Sequence, residues 1–132
     1  MIGFDTNVLV RLIVADDSEQ TPKAQRYIED NCSELAPGFI SNIVLAETVW
    51  VLESTYGLNR GDIVQALENI LAAARFAVQD PAQVQAALDA FKKTPIGFTD
   101  LLIAEINRAS GCEVTATFDR KAAKLEGFTL IR

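Results

Sequence analysis

The stretch Ile2-Gly3-Phe4-Asp5-Thr6-Asn7-Val8-Leu9-Val10-Arg11-Leu12-Ile13-Val14 decides how the rest of the chain is read, because its hydrophobic pattern changes period at one residue. Ile2 to Phe4 is a short apolar run of strand type. From Thr6 the apolar positions Val8, Leu9, Leu12 and Ile13 recur at helical spacing. Asp5 stands at the junction. A strand that passes straight into a helix is half of a strand-helix unit, and open parallel sheets collect their chemistry at such junctions.

The same alternation continues outward. Pro22 to Asn31 predicts a second helix, with the proline suited to its first turn. Pro37-Gly38 breaks the chain before a strand at Phe39 to Ser41. Asn42 to Ser54 is a strongly apolar helix, and Gly61-Asp62 opens another with Ile63, Leu67, Ile70, Leu71 and Ala74 on one face. Phe76 to Val78 is a third strand. A helix then runs from Asp80-Pro81 to Lys92, with Val84, Leu88 and Phe91 at i, i+4 and i+7. Thr99 is the expected N-cap of a helix through Ser110, which Gly111 stops. Glu113 to Thr117 is a fourth strand, Asp119 to Leu125 a short helix and Phe128 to Ile131 a fifth strand. The pattern predicts an α/β fold with a mostly parallel five-stranded sheet.

At 132 residues the chain suits one domain that buries roughly two-thirds of its unfolded surface. No repeat, linker-like stretch or low-complexity tract divides it. The apolar run Val8 to Val14 is interrupted by Arg11 and followed by no small-residue cleavage site, so neither a signal peptide nor a membrane span is expected. Cys32 and Cys112 are read as reduced thiols of a cytoplasmic protein.

The chain contains no histidine. That removes Ser-His-Asp and Cys-His catalysis and the imidazole-based zinc sites, leaving carboxylates, hydroxyls, Lys/Arg, or a hard metal held by oxygen. A formal charge of −6 argues against a passive nucleic-acid-binding module. It leaves room for a nucleic-acid enzyme whose acidic cluster is inverted in sign by the cations it loads.

Four acids are candidates for such a cluster. Asp5 and Asp119 each follow a strand and precede a helix, and neighbouring strands would open both into one crevice. Either could instead be an ordinary helix cap, and Asp100 could be an acid favoured by a helix dipole. Glu47 interrupts the apolar runs Ile43 to Ala46 and Val49 to Leu52, with Ile43, Trp50 and Val51 as its helical neighbours. That face is expected to be buried, where an ionised carboxylate needs a cation, a proton or a hydrogen-bonded partner.

Four segments in order carry a resemblance: Asp5-Thr6-Asn7-Val8-Leu9-Val10-Arg11-Leu12, Val44-Leu45-Ala46-Glu47, Phe98-Thr99-Asp100-Leu101-Leu102-Ile103-Ala104, and Thr117-Phe118-Asp119-Arg120 before Gly127-Phe128. Together they resemble the PIN-domain ribonucleases, in particular the VapC-type toxins of toxin-antitoxin pairs, over essentially the whole chain. Thr99-Asp100 stands where family members often have Ala-Asp, which retains the acid. The resemblance implies a three-layer α/β/α sandwich, Mg²⁺ or Mn²⁺ as cofactor, RNA as substrate, and Asp5, Glu47, Asp100 and Asp119 as the metal-binding and catalytic set. Two divalent ions roughly 3.5 to 4 Å apart lower the pKa of water and neutralise charge on a phosphodiester, which replaces the missing imidazole.

Thr6, Asn7 and Thr117 are candidates for orienting the carboxylates, and Arg11, Arg120, Lys121 and Lys124 for contacting phosphate. The apolar residues around Trp50 and Leu52 and the face from Ile63 to Leu71 are mostly core. The resemblance also implies a homodimer and an antitoxin partner, for which part of that surface would serve. A phosphoacceptor receiver domain fits poorly, because Asp5 lacks an acidic neighbour, Asp16-Asp17 follows the first helix and Asp80 precedes a helix-opening proline. A non-catalytic module would keep four mutually repelling carboxylates without a ligand.

Overall fold

Asp5 ends an extended segment and caps helix α1 (Thr6–Val14), its carboxylate accepting from the Val8 N–H. The helix stops at Ala15, which takes the left-handed conformation (φ 53°) and returns its N–H to the Arg11 carbonyl. The computed structural model describes all 132 residues and divides into two compact units, Met1–Asp80 and Pro81–Arg132.

In the first unit, α1 packs against α2 (Gln20–Asn31) and α3 (Asn42–Ser54), and α4 (Arg60–Ala72) packs against α3 and strand β2. Strands β1 (Gly38–Ile40) and β2 (Phe76–Val78) pair in parallel, with Phe39 opposite Ala77. The strand expected at Ile2 to Phe4 is reduced to a single parallel bridge, Gly3 to Phe39. It is held by Phe4 N–H to Phe39 O (3.0 Å) and Phe39 N–H to Ile2 O (2.7 Å). The ladder ends there because Asp5 already turns into the helix. Phe4 lies over Gly38, where any Cβ would run into its ring, so this crossing requires glycine. Phe4, Ile28 and Cys32 form a buried cluster beneath Ile2, Val8, Leu12 and Phe76.

Helix α3 is apolar nearly all round, and the structure chooses which side goes inward. Ser41 caps it by accepting from the Val44 N–H, and Leu45, Thr48, Val49 and Leu52 are buried. The buried Thr48 hydroxyl is satisfied by the Val44 carbonyl at 2.7 Å. Ile43 is 80% exposed, Trp50 is 65% exposed and Glu47 is exposed with them, so the expected burial of that face is overturned. Helix α4 begins earlier than Gly61, through a capping box in which Asn59 and Asp62 bond reciprocally. Its Ile63, Leu67 and Ile70 are buried, so that part of the face is core, while Leu71 is half-buried.

The second unit is built on the helix pair α5 (Pro81–Lys93) and α6 (Phe98–Ala109). Val84, Leu88 and Phe91 are buried as their spacing predicts, and Phe91 meets Phe98 edge-on with ring centroids 6.1 Å apart. Gly97, and not Thr99, is the N-cap of α6, so the helix begins two residues earlier than expected. Gly111, at φ 96°, ends the helix in a conformation open to glycine. Strands β3 (Thr115–Thr117) and β4 (Phe128–Leu130) pair in parallel, Ala116 opposite Thr129. The helix expected from Asp119 to Leu125 is one 3₁₀ turn, Ala122–Lys124.

The fold is therefore α/β with parallel strands, as expected, but with four strands in two pairs where five in one sheet were predicted. The difference lies in strand length: three-residue segments make few ladder bonds, and the Ile2 to Phe4 segment makes too few to count as a strand. Both cysteines are free, Cys32 buried and Cys112 exposed. No helix is long and apolar enough to cross a membrane.

Candidate metal centre

Three of the four acids, Asp5, Asp100 and Asp119, sit at or beside the end of a secondary-structure element. Asp5 is the N-cap of α1, in extended conformation (φ −95°, ψ 175°), and Oδ1 takes the Val8 N–H at 3.4 Å. That is a long bond for a cap. Glu47 projects from the middle of α3 and accepts a hydrogen bond at Oε1 from the Thr6 hydroxyl. Thr6 is buried, the first residue of α1, and next to Asp5 in the chain. One short segment thus carries one acid and holds a second in place.

In the second unit Asp100 lies in the first turn of α6, exposed, at a terminus that makes no side-chain cap hydrogen bond. Its carboxylate lies over Gly97, Oδ2 being 3.9 Å from where a Cβ would stand. Asp119 closes the turn after β3: Oδ1 accepts from the N–H groups of Lys121 (2.8 Å) and Ala122 (3.2 Å). The Asp119 N–H in turn donates to Thr117 Oγ1 at 3.0 Å. Thr117 therefore orients the backbone of Asp119. The cap reading is correct for Asp5, whereas Asp119 holds the turn ahead of the 3₁₀ helix, whose N-cap position is Lys121; both bond through Oδ1.

Nowhere do three or more Asp, Glu, His or Cys side chains come close enough together to hold a metal ion. The structure brings Asp5 and Glu47 together through Thr6, and it describes Asp100 and Asp119 within the second unit. In donor chemistry these residues suit a hard divalent cation, since they offer carboxylate and hydroxyl oxygens, with no imidazole or thiolate among them.

The remaining candidates separate clearly. Asn7 is exposed on α1. Arg11 is held by its own unit: Nε donates to Gln20 Oε1 (2.6 Å), Nη1 donates to Tyr56 Oη (3.1 Å), and Asp17 Oδ2 lies 4.0 Å from Nε. Tyr56 first, then Asp17 and Asp16, raise the guanidinium pKa further, against the opposing effect of burial. Arg120, Lys121 and Lys124 are exposed.

Residues 2–127 match the PIN domain family. The chain belongs to the PIN domain family. This PIN domain is also similar to a VapC ribonuclease of Aquifex aeolicus (strain VF5), 26% identical over 128 residues that cover 97% of this chain and 93% of the relative. Among solved structures it is similar to the VapC20 toxin of Mycobacterium tuberculosis, a toxin that cleaves the sarcin-ricin loop, with a TM-score of 0.45, 20% identity and 94% of each chain covered.

Thr6 is among the residues expected to orient a carboxylate, but which one escaped the sequence in this PIN domain, as did a second polar grouping. The Thr6 to Glu47 bond joins residues 41 positions apart, and no local pattern announces it. At the C-terminal ends of β1 and β2, Asn42 Nδ2 donates to Asp80 Oδ2 (3.1 Å) and Gln79 Oε1 accepts from the Asn42 N–H (2.9 Å). Asn42 Oδ1 is left buried without a partner.

Proposed function

We propose that this PIN domain is a metal-dependent endoribonuclease and the toxin of a toxin-antitoxin pair, acting on RNA in the cytoplasm. The observation that carries the reading is family membership over residues 2–127 in a chain that has an acid at each of the four motif positions and no histidine. The similarity to a VapC ribonuclease along nearly the whole length supports the same reading.

In this reading Asp5, Glu47, Asp100 and Asp119 hold Mg²⁺ or Mn²⁺. When bound, such ions make water acidic enough to attack at neutral pH and neutralise charge on the phosphodiester. Asp5 and Asp119 serve with the carboxylate oxygen that their bonds to backbone N–H groups leave unused. Glu47 acts from a fixed rotamer, since the Thr6 hydroxyl restrains Oε1 and leaves Oε2 to face the ligand. Arg120 and Lys121, next to Asp119, contact the RNA backbone. Arg11 ties α1 to Gln20 and Tyr56 and reaches RNA only if it gives up one of them. The partner proteins are a cognate antitoxin and a second copy of the chain, and exposed Ile43 and Trp50 supply an apolar surface for a protein contact.

The test is cleavage of single-stranded and structured RNA by purified protein with Mg²⁺ or Mn²⁺, beside Asp5→Asn and Asp119→Asn. Cleavage that needs the metal and both acids supports the proposal. No cleavage with either metal, or cleavage that survives both substitutions, overturns it.

A further inference from the structure

The strongest uncommitted feature is electrostatic. Met1–Asp80 carries twelve acids against five Lys and Arg, an unfavourable surface for any polyanion. The cations gather at the other end: Arg120, Lys121, Lys124 and Arg132 lie in the last thirteen residues, with Glu126 the single acid among them.

The fold shapes three of these four into a cleft of about 490 Å³ between the 3₁₀ turn and β4. Arg120, Lys124 and Arg132 line it together with Ala123, Phe128, Thr129 and Leu130, with no Asp or Glu side chain among them. None of the three cations has an ion-pair partner. Three cations held around one concavity repel one another, and an anion in the cleft relieves that repulsion. The turn that carries them is fixed by Asp119, whose Oδ1 holds the N–H groups of Lys121 and Ala122. The cleft is thus tied through one short turn to an acid proposed as a metal ligand.

We propose that this cleft binds a backbone phosphate of the RNA close to the one that is cut, with Lys124 and Arg132 as contacts beyond Arg120. The inference rests on the nuclease reading for the identity of the polyanion. A metal centre neutralises only the phosphate it works on, so neighbouring phosphates need side-chain cations, and contacts of this kind fix register without reading sequence.

The experiment uses the full chain and a short fluorescent single-stranded RNA of mixed sequence. Binding is measured in EDTA across a range of salt, for wild type, Lys124→Gln, Arg132→Gln and the double variant. Lys23→Gln removes a cation paired with Glu19 on α2 and controls for net charge. The expected result is a slope of log K against log salt that falls by about 0.7 for each cleft cation removed. The same slope is expected for wild type and Lys23→Gln. With Mg²⁺, KM for RNA rises in the double variant while kcat at saturating RNA is kept. A double variant with the slope and KM of Lys23→Gln overturns the proposal, as does wild-type binding that is absent or indifferent to salt. If the slopes fall as expected but no RNA is cut with either metal, the cleft stands and the nuclease reading fails. If RNA is cut and the slopes are unchanged, the cleft alone fails.

Discussion

The Thr6 hydroxyl donates to Glu47 Oε1, so the first turn of α1 positions a carboxylate on α3. Glu47 is exposed, and without that bond its side chain would sample several rotamers. Thr6→Val keeps the shape of the buried residue and removes the donor. Cleavage by this variant is expected to fall about 10- to 100-fold, with a matching rise in the metal concentration needed for half-maximal rate. Thr6→Ser should recover most of the loss. Equal metal dependence in Thr6→Val and wild type would show that the bond is only structural.

Asp5→Asn separates capping from catalysis. Asparagine caps a helix about as well as aspartate, so the urea midpoint should stay within the equivalent of about 0.5 kcal/mol of wild type. Cleavage should be lost. A stable, inactive variant assigns Asp5 to the metal, whereas an active one leaves it as a cap.

Gly38→Ala should destabilise the fold, because the added Cβ meets the Phe4 ring where the first segment crosses β1. Displacing that ring disturbs the cluster with Ile28 and Cys32, at a cost of about 1 to 3 kcal/mol. Urea denaturation measures it. Gly3→Ala, whose Cβ meets nothing, is the control and should be close to neutral.

Asp17 is held below the ordinary carboxylate range, mainly by the N–H groups of Gln20 (2.7 Å) and Glu19 (3.0 Å), with Arg11 adding to them and burial opposing. A pKa lowered by folding stabilises the native state above the unfolded value of about 3.9, and the contribution is lost as pH falls through the lower folded value. Asp17→Asn keeps an acceptor and removes the charge. The urea midpoints of wild type and variant should differ steadily above about pH 5 and converge below about pH 4. A gap that persists at low pH would mean that the charge is not what Asp17 contributes.

Much of the secondary structure was legible because it rests on local rules. Helix α1 has the boundaries that its 3.6-residue periodicity announced, and α3 runs from Asn42 to Ser54 as read. Phe76–Val78 is a strand as expected. The four acids could be picked out as candidates because three of them stand at chain reversals and the fourth interrupts an apolar helix. Boundaries slipped where short-range signals compete. Thr99 looked a better cap than Gly97, and Asp119 looked like the start of a helix when it holds only the turn that leads into three residues of 3₁₀ helix.

The residues of the chain by themselves determined an α/β protein with parallel strands, four candidate acids in order, and chemistry without imidazole. Only the tertiary structure decided which way α3 faces, since a helix apolar on nearly every side has no preferred inward face until its neighbours supply one. It buried Leu45, Val49 and Leu52, left Ile43 and Trp50 outside, and gave Glu47 its partner in Thr6. It also tied Arg11 to Tyr56 and Gln20 and drew Arg120, Lys124 and Arg132 around one cleft. Contacts between residues distant in the chain depend on how elements pack, and periodicity carries no record of that.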